Sequence, residues 1–260
     1  MKDELGERMK EFYEHRFRTK LPRRAYTIIR IDGKAFHTYT KGLNRPFDDG
    51  LIEDMNNTAI FLCKNIMGAK MGYVQSDEIS ILLTDFDTLD TQAWFDYNIQ
   101  KMVSIASSLA TSEFNRLRLI RSCTDFDGDL HFDAMDKEEI INFKMAQFDA
   151  RVFQIPSRIE VENYFIWRQQ DAVRNSISSV AQSLYSHKEL NGKKSNEMQE
   201  MIFQKGINWN DYDFRKKRGA VIGKVEHEVG EGDERSIRNG WEVIDTPIFT
   251  QDRVFFTNFY

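Results

Sequence analysis

Apolar residues recur along this chain in two rhythms, and the switches between them lay out a mixed α/β domain. A charged opening stretch, 3–18, reads as a helix, and AYTIIRID, 25–32, alternates as a strand does. Across 49–67, Leu51, Met55, Ala59, Leu62, Cys63 and Ile66 fall at helical spacing, with Gly68 as the stop signal. GYVQSDEISILL, 72–83, is the centre of a hairpin over 71–84, with Ser76, Asp77 and Glu78 at its tip. The pattern next predicts a helix over 92–116, capped by Thr91, with Phe95, Ile99, Met102, Val103, Ala106, Leu109 and Ala110 on one side. AQFDARVFQI, 146–155, reads as a fourth strand. The order β-α-β-β-α-β is the ferredoxin-like, split βαβ arrangement, an α/β (α+β) fold. That fold hosts too many activities to name one.

Ser157 and Glu160 match a capping box, which predicts a long helix reaching about residue 187. The expected organisation is a main domain over 1–187 and a smaller C-terminal appendage over 188–260 packed on it. The appendage carries a short helical pattern near 194–204 and strand-like pieces at 219–226 and 253–258.

Composition narrows the class. With 41% apolar and 13% aromatic residues, 260 residues can bury a core without staples. The two cysteines, Cys63 and Cys123, provide neither a disulfide framework nor metal-ligand spacing, as expected in a reducing compartment. No apolar run has the length of a membrane span, and MKDELGERMK is no signal peptide, so a cytoplasmic protein without membrane contact is expected. The net charge of −5 repels phosphates globally, so RNA binding requires local patches. Lys216, Lys217 and Arg218, preceded by Arg215, form the densest one; Lys193-Lys194 and Arg23-Arg24 are smaller. The acidic stretch 123–139 has its glycine at the wrong offset for an EF-hand and reads as a solvated loop.

The tip of the hairpin holds the candidate chemistry. Strands one and three are neighbours in this topology, so Asp32, at the end of strand one, comes near Asp77 and Glu78. Three carboxylates at one sheet edge repel one another, and two oxygen-ligated Mg²⁺ ions would neutralise them. Such a pair supports phosphoryl transfer. Taken separately, Asp32-Gly33 reads equally as a plain turn and Asp77-Glu78 as an exposed tip. Extended residues alternate faces, so Asp77 and Glu78 are not expected to contribute equally.

Nearby residues suit a phosphate. Gly33 frees the backbone to turn toward an anion, before Lys34, Ala35, Phe36 and His37. His37 reads equally well as a core histidine. Arg45 adds a cation, and Arg151 either pairs with Asp149 or reaches a phosphate. On the long helix Trp167, Arg168, Asp171, Arg174 and Asn175 share one side, either a packing and solvent face or a surface for RNA.

RIDGKAFH, NRPFDD, GYVQSDEISILL, FDARVFQIPS and WRQQDAVRNS stand in the order and spacing of the histidine-tRNA guanylyltransferase family. The chain resembles that family over about residues 1–187, and more loosely through RKKRGAVI, 215–222. The resemblance implies a polymerase-like palm that extends RNA at its 5′ end, in the 3′-to-5′ direction. It implies that Asp32 and Asp77 are catalytic metal-binding carboxylates, Gly33 a backbone carbonyl ligand and Glu78 a third acid beside the metals. Lys34, Ala35, Phe36 and His37 match the loop around the triphosphate. Arg45 stands where the family commonly has a lysine, and Ser76 and Arg151 match further nucleotide contacts. After W-R-Q, eukaryotic members continue with a histidine and paired asparagines. Here Val173 takes the histidine's place and a single asparagine, Asn175, remains. In this the chain is similar to the bacterial, archaeal and phage-type relatives that repair 5′-truncated tRNAs.

The implied reaction has two stages: ATP typically activates a 5′-monophosphate end to an adenylylated end with release of pyrophosphate, then the 3′-hydroxyl of an incoming nucleoside triphosphate, GTP among them, attacks the activated phosphate. The implied partners are tRNA and further copies of the chain in a homotetramer. Trp167, Arg168, Arg174, Asn175, Lys216, Lys217 and Arg218 are the expected RNA contacts. The alternatives are strict addition of G at position −1 of histidine tRNA, a nucleotide cyclase, and a non-catalytic RNA-binding module, against which intact Asp32, Asp77 and Glu78 argue.

Overall fold

The computed structural model describes residues 4–124, 129–131, 135–229 and 235–260. Among the described residues six strands form one antiparallel sheet: β1 Tyr26–Gly33, β2 Ala69–Gln75, β3 Glu78–Leu83, β4 Phe148–Ile155, β5 Ala220–Val229 and β6 Ser236–Ile244. Their spatial order is β4-β1-β3-β2-β5-β6. The first four make the ferredoxin-like palm the sequence predicts. The C-terminal segment enters the same sheet, because β5 pairs with β2 through Gly72↔Ile222, Tyr73↔Val221 and Val74↔Ala220.

Period two divides the strands between two cores. On one face Ile29, Ile31, Ile79, Ile81 and Leu83 pack with helices α1, Asp49–Asn65, and α2, Ile99–Ser122. On the other, Ile28, Leu82, Met71 and Tyr73 pack with Val161, Tyr164 and Phe165 of the long helix α3, Arg158–Leu184, and with Phe249, Phe256 and Phe259. The second half of α3 leaves the sheet. There Ile177, Val180 and Ala181 pack with Ile202 of α4, Ser195–Gln204. Gly68 closes α1 at φ +83°, where a Cβ would stand 2.5 Å from the carbonyl oxygen of Thr84. No helix among the described residues is long and apolar enough to cross a membrane.

Three elements differ from expectation. The helix predicted over 92–116 starts at Ile99, with Asn98 as its cap accepting from the Lys101 N–H at 3.1 Å. Residues 94–97 are held otherwise: Trp94 and Tyr97 are buried, and Leu21 donates its N–H to the Tyr97 carbonyl. These contacts override the local periodicity. The piece at 253–258 is a 3₁₀ helix, Val254–Phe259, because Phe256 and Phe259, one turn apart, both enter the α3 face of the core. β6 was not predicted; its residues are mostly exposed, so no apolar alternation marks it. In the acidic stretch, Asp136 caps a short helix, Lys137–Ile141, with Glu139 reciprocating; residues 125–128 and 132–134 of that stretch lie outside the described set.

Candidate active site

The register of β1 builds the site. Asp32 stands directly opposite Glu78 of β3 and Asp149 of β4, and Arg30 opposite Ser80 and Arg151. Directly paired residues share a face, so a row of three carboxylates lies beside a row containing two arginines, on the face that α3 partly covers. Like charges directly opposite are destabilising; the guanidinium groups offset part of this. Arg151 lies 3.8 Å from Asp32 and 3.5 Å from Asp149, and Arg30 4.0 Å from Glu78. Arg151 thus faces both of the acids nearest it. The triplets Arg30-Ile31-Asp32 and Asp149-Ala150-Arg151 are inverse in sequence, the one signal that could have placed Asp149 in the row.

Asp77 occupies the turn between β2 and β3. Its carbonyl accepts the Gly33 N–H at 3.1 Å, which ties the hairpin tip to the end of β1. Ser76, at φ +50°, donates its hydroxyl to the Asp77 carboxylate at 3.1 Å. Burial, with the charges of Asp32 and Glu78 adding to it, pushes the Asp77 carboxyl up to about 6.

Glu78 turns elsewhere. Both of its oxygens accept from Arg168 of α3, at 2.7 and 2.8 Å, and the Gln75 amide donates at 3.3 Å. This corrects the expected placement of Arg168. Glu78 is engaged by a buried guanidinium, and Arg168 is inside the protein, not on an RNA-facing surface. Trp167 is half-exposed, with the Arg168 guanidinium 4.4 Å from its ring centre; Arg174 is exposed and bonded to Asp171 at 2.8 Å.

Among the described residues no group of three or more His, Cys, Asp and Glu side chains converges as on a metal. Asp32 and Asp77, with the nearby Gly33 carbonyl, remain as hard oxygen donors. The pKa of Asp77 is raised chiefly by burial and further by the Asp32 and Glu78 charges, a cost that a divalent cation would relieve, so the donor set fits Mg²⁺.

After β1 the chain turns through Gly33, where a Cβ would meet the Phe36 ring at 2.2 Å. Lys34 is exposed, its N–H donating to Gln147, and Ala35 takes a left-handed conformation at φ +53°. Phe36 is buried with Phe114 and Phe148, so its ring anchors the loop from below. His37 is exposed, not a core residue. It opens onto a cavity of about 380 Å³ between the 37–52 loop, the hairpin tip and α3. Arg45, Ser76, Asn175, Arg215, Lys216 and Lys217 line it. The basic run 215–218 lies on helix α5, Phe214–Arg218. Lys216 pairs with Asp49 at 2.6 Å, whereas Arg218 is half-buried and donates to the Thr246 carbonyl at 3.0 Å, a structural contact rather than an RNA-facing one. Sequence reading did not gather Arg215, Lys216 and Arg45 around one cavity, because more than 160 residues of chain separate Arg45 from α5 (215 − 45 = 170).

The architecture and this arrangement have counterparts. The family model described as Thg1: tRNAHis guanylyltransferase matches residues 6–156. The chain is similar to the structure of a bacterial tRNA(His) guanylyltransferase (Thg1)-like protein in complex with ATP, at 43% identity and a TM-score of 0.80, over 98% of this chain and 99% of that one. A GTP complex of a bacterial protein of that description gives 43% and 0.78, over 99% of each chain. The tRNA(His) guanylyltransferase of Debaryomyces hansenii is 27% identical over 226 residues, 82% of this chain and 78% of that protein. The chain belongs to the tRNA(His) guanylyltransferase family of nucleotidyltransferases.

Proposed function

We propose that this chain is a template-dependent 3′-to-5′ nucleotidyltransferase that rebuilds truncated tRNA 5′ ends. The observation that carries this reading is the pair Asp32 and Asp77 at the sheet edge, where Ser76, next to Asp77, lines a cation-rich cavity large enough for a nucleotide. The bacterial relatives crystallised with ATP and GTP support a nucleotide as its occupant. In the first stage the tRNA 5′-phosphate oxygen attacks the α-phosphorus of ATP and pyrophosphate leaves. In the second, the 3′-hydroxyl of the incoming nucleotide attacks the activated phosphate and AMP leaves.

Asp32 and Asp77, with the Gly33 carbonyl, would hold two Mg²⁺ ions. Bound there, the ions would supply charge neutralisation and a lowered pKa for the attacking oxygen. Arg45, Lys216 and Lys217 hold the triphosphate, and Ser76 orients Asp77 through its hydroxyl. Trp167, Arg174 and Asn175 face the RNA. Val173, standing where eukaryotic members have histidine, favours repair over strict G addition at position −1; the names of the curated relatives favour the latter.

The same reading includes self-association. Residues 4–17 are helical and leave Leu5, Met9, Phe12, Tyr13 and Phe17 exposed. Pairing with a second copy would bury this apolar face. This supports self-association, with a homotetramer as the proposed assembly, and light scattering should show a smaller assembly when residues 1–17 are deleted. Both cysteines are unpaired and buried, in keeping with a cytoplasmic setting.

Labelled tRNA lacking its first nucleotide, offered with ATP, Mg²⁺ and each nucleoside triphosphate in turn, tests the activity. Template-matched incorporation is expected. Addition of G alone, and only to histidine tRNA, would replace repair by the −1 reaction.

A further inference from the structure

We propose that Glu78 is a positioning residue: it fixes Asp77 through Arg168 and is not itself a metal ligand. The inference rests on reading Asp32 and Asp77 as the metal-binding pair.

Asp77 is one of two residues in a tight turn, and a free tip would let its carboxylate wander. Two anchors prevent this. On one side the Gly33 N–H holds the Asp77 carbonyl at 3.1 Å. On the other, the next residue is clamped, since the Glu78 carboxylate receives Nε and Nη2 of Arg168 at 2.7 and 2.8 Å. Their side chains are 10% and 8% exposed, so the fork operates with little competition from water. Arg168 is itself braced. It donates to Asp171 at 3.0 Å, and Asp171 accepts from Arg174 at 2.8 Å. The Trp167 ring lies against the guanidinium at 4.4 Å.

A chain of ionic hydrogen bonds therefore runs from the hairpin tip through α3 to its exposed face. The Asp77 carboxylate is aimed by the main chain between these anchors. For Glu78 to bind a cation it would have to strip Arg168 of its bidentate partner and leave a buried guanidinium with Asp171 alone.

The experiment uses the full chain and two readouts. Mn²⁺ affinity is measured from the paramagnetic resonance signal of the unbound ion. The kcat and KM for ATP are measured in 5′-adenylylation of monophosphorylated tRNA, with thermal melts confirming the fold. Glu78→Gln should leave Mn²⁺ affinity within about twofold of the parent, while Asp77→Asn weakens it by about tenfold or more. Glu78→Gln and Arg168→Gln should each lower kcat by about tenfold or more with KM little changed, because alignment is lost and not binding. The double variant should be no worse than the poorer single one, as expected of residues acting as a unit. Arg168→Lys keeps the charge but loses the fork, so an intermediate kcat reports geometry even where a neutral residue at 168 fails to fold.

Glu78→Gln weakening Mn²⁺ as much as Asp77→Asn, or losses that multiply in the double variant, would overturn the proposal. If Asp77→Asn leaves Mn²⁺ binding intact, the metal reading itself fails. Shared, non-multiplying kcat losses would then still uphold the Glu78–Arg168 link, and multiplying ones would refute it.

Discussion

The two faces of one sheet are built from alternate residues of the same strands, yet they do opposite work. On the face of α1 and α2, Ile29, Ile31, Ile79 and Ile81 are fully buried and uniformly apolar. On the face of α3, Ile28 and Leu82 begin an apolar core, but the same strands continue into Arg30, Asp32 and Glu78. A step of one residue moves from packing to charge. The difference shows how a strand can supply stability and chemistry at once: the cost of crowded acids is confined to the end of one face, while the other face holds the fold together.

The sharpest test of this division is Asp77→Asn, which should lower activity on the order of 10²–10³-fold and yet stabilise the protein. Folding lifts the Asp77 pKa from 3.8 to about 6. Between those values the folded chain keeps the proton while the unfolded chain has lost it. Stability therefore declines as pH rises through that window and stays lower above it. In EDTA at pH 7.5 the asparagine variant should gain up to about 3 kcal/mol, raising Tm by roughly 5–10 °C, and most of the gain should vanish near pH 4. A loss of stability on substitution would break the contrast between the faces.

The converse is Ile81→Ala on the apolar face. It should cost about 2–5 kcal/mol in urea unfolding and leave kcat per folded molecule almost unchanged.

Beside the site, Lys216→Ala should raise the KM for ATP about tenfold with little effect on kcat, measured in the adenylylation step. An unchanged KM would remove the nucleotide from the cavity. The smallest effect is expected for Arg174→Ala on the exposed face of α3. There tRNA affinity should fall about threefold, and the slope of log K against log salt should shrink by about 0.7–0.9.

Much of this could be read in the sequence, because it depends on neighbours along the chain. The hairpin 71–84 has its alternation, its tip and its flanking glycines within a few residues, and β1 ends in Asp32-Gly33, where a turn needs small residues. Asp48 capping α1 and Ser157 capping α3 are likewise local. The rest lacks a local signal. β6 exists because β5 offers it a partner, and its exposed residues carry no core pattern. Trp94 and Tyr97 delay α2 because the 19–21 segment bonds to residues 97–99, a contact across some seventy residues (97 − 21 = 76). Phe36, placed by motif in the nucleotide loop, turned out to be that loop's anchor in the core.

The sequence by itself determined the palm topology and the family, and it put Asp32 at a strand exit and Asp77 at a hairpin tip. Periodicity and turn chemistry act over a few residues, and two acids beside a strand exit and a hairpin tip converge in any sheet of this order. Only the tertiary structure decided which way Glu78 points, that Arg168 is buried, and that Arg45 and Lys216 share one cavity. Those outcomes depend on where α3 and α5 lie over the sheet. That placement is fixed by packing between segments far apart in the chain, where a charge is held by whichever opposite charge the fold brings within reach.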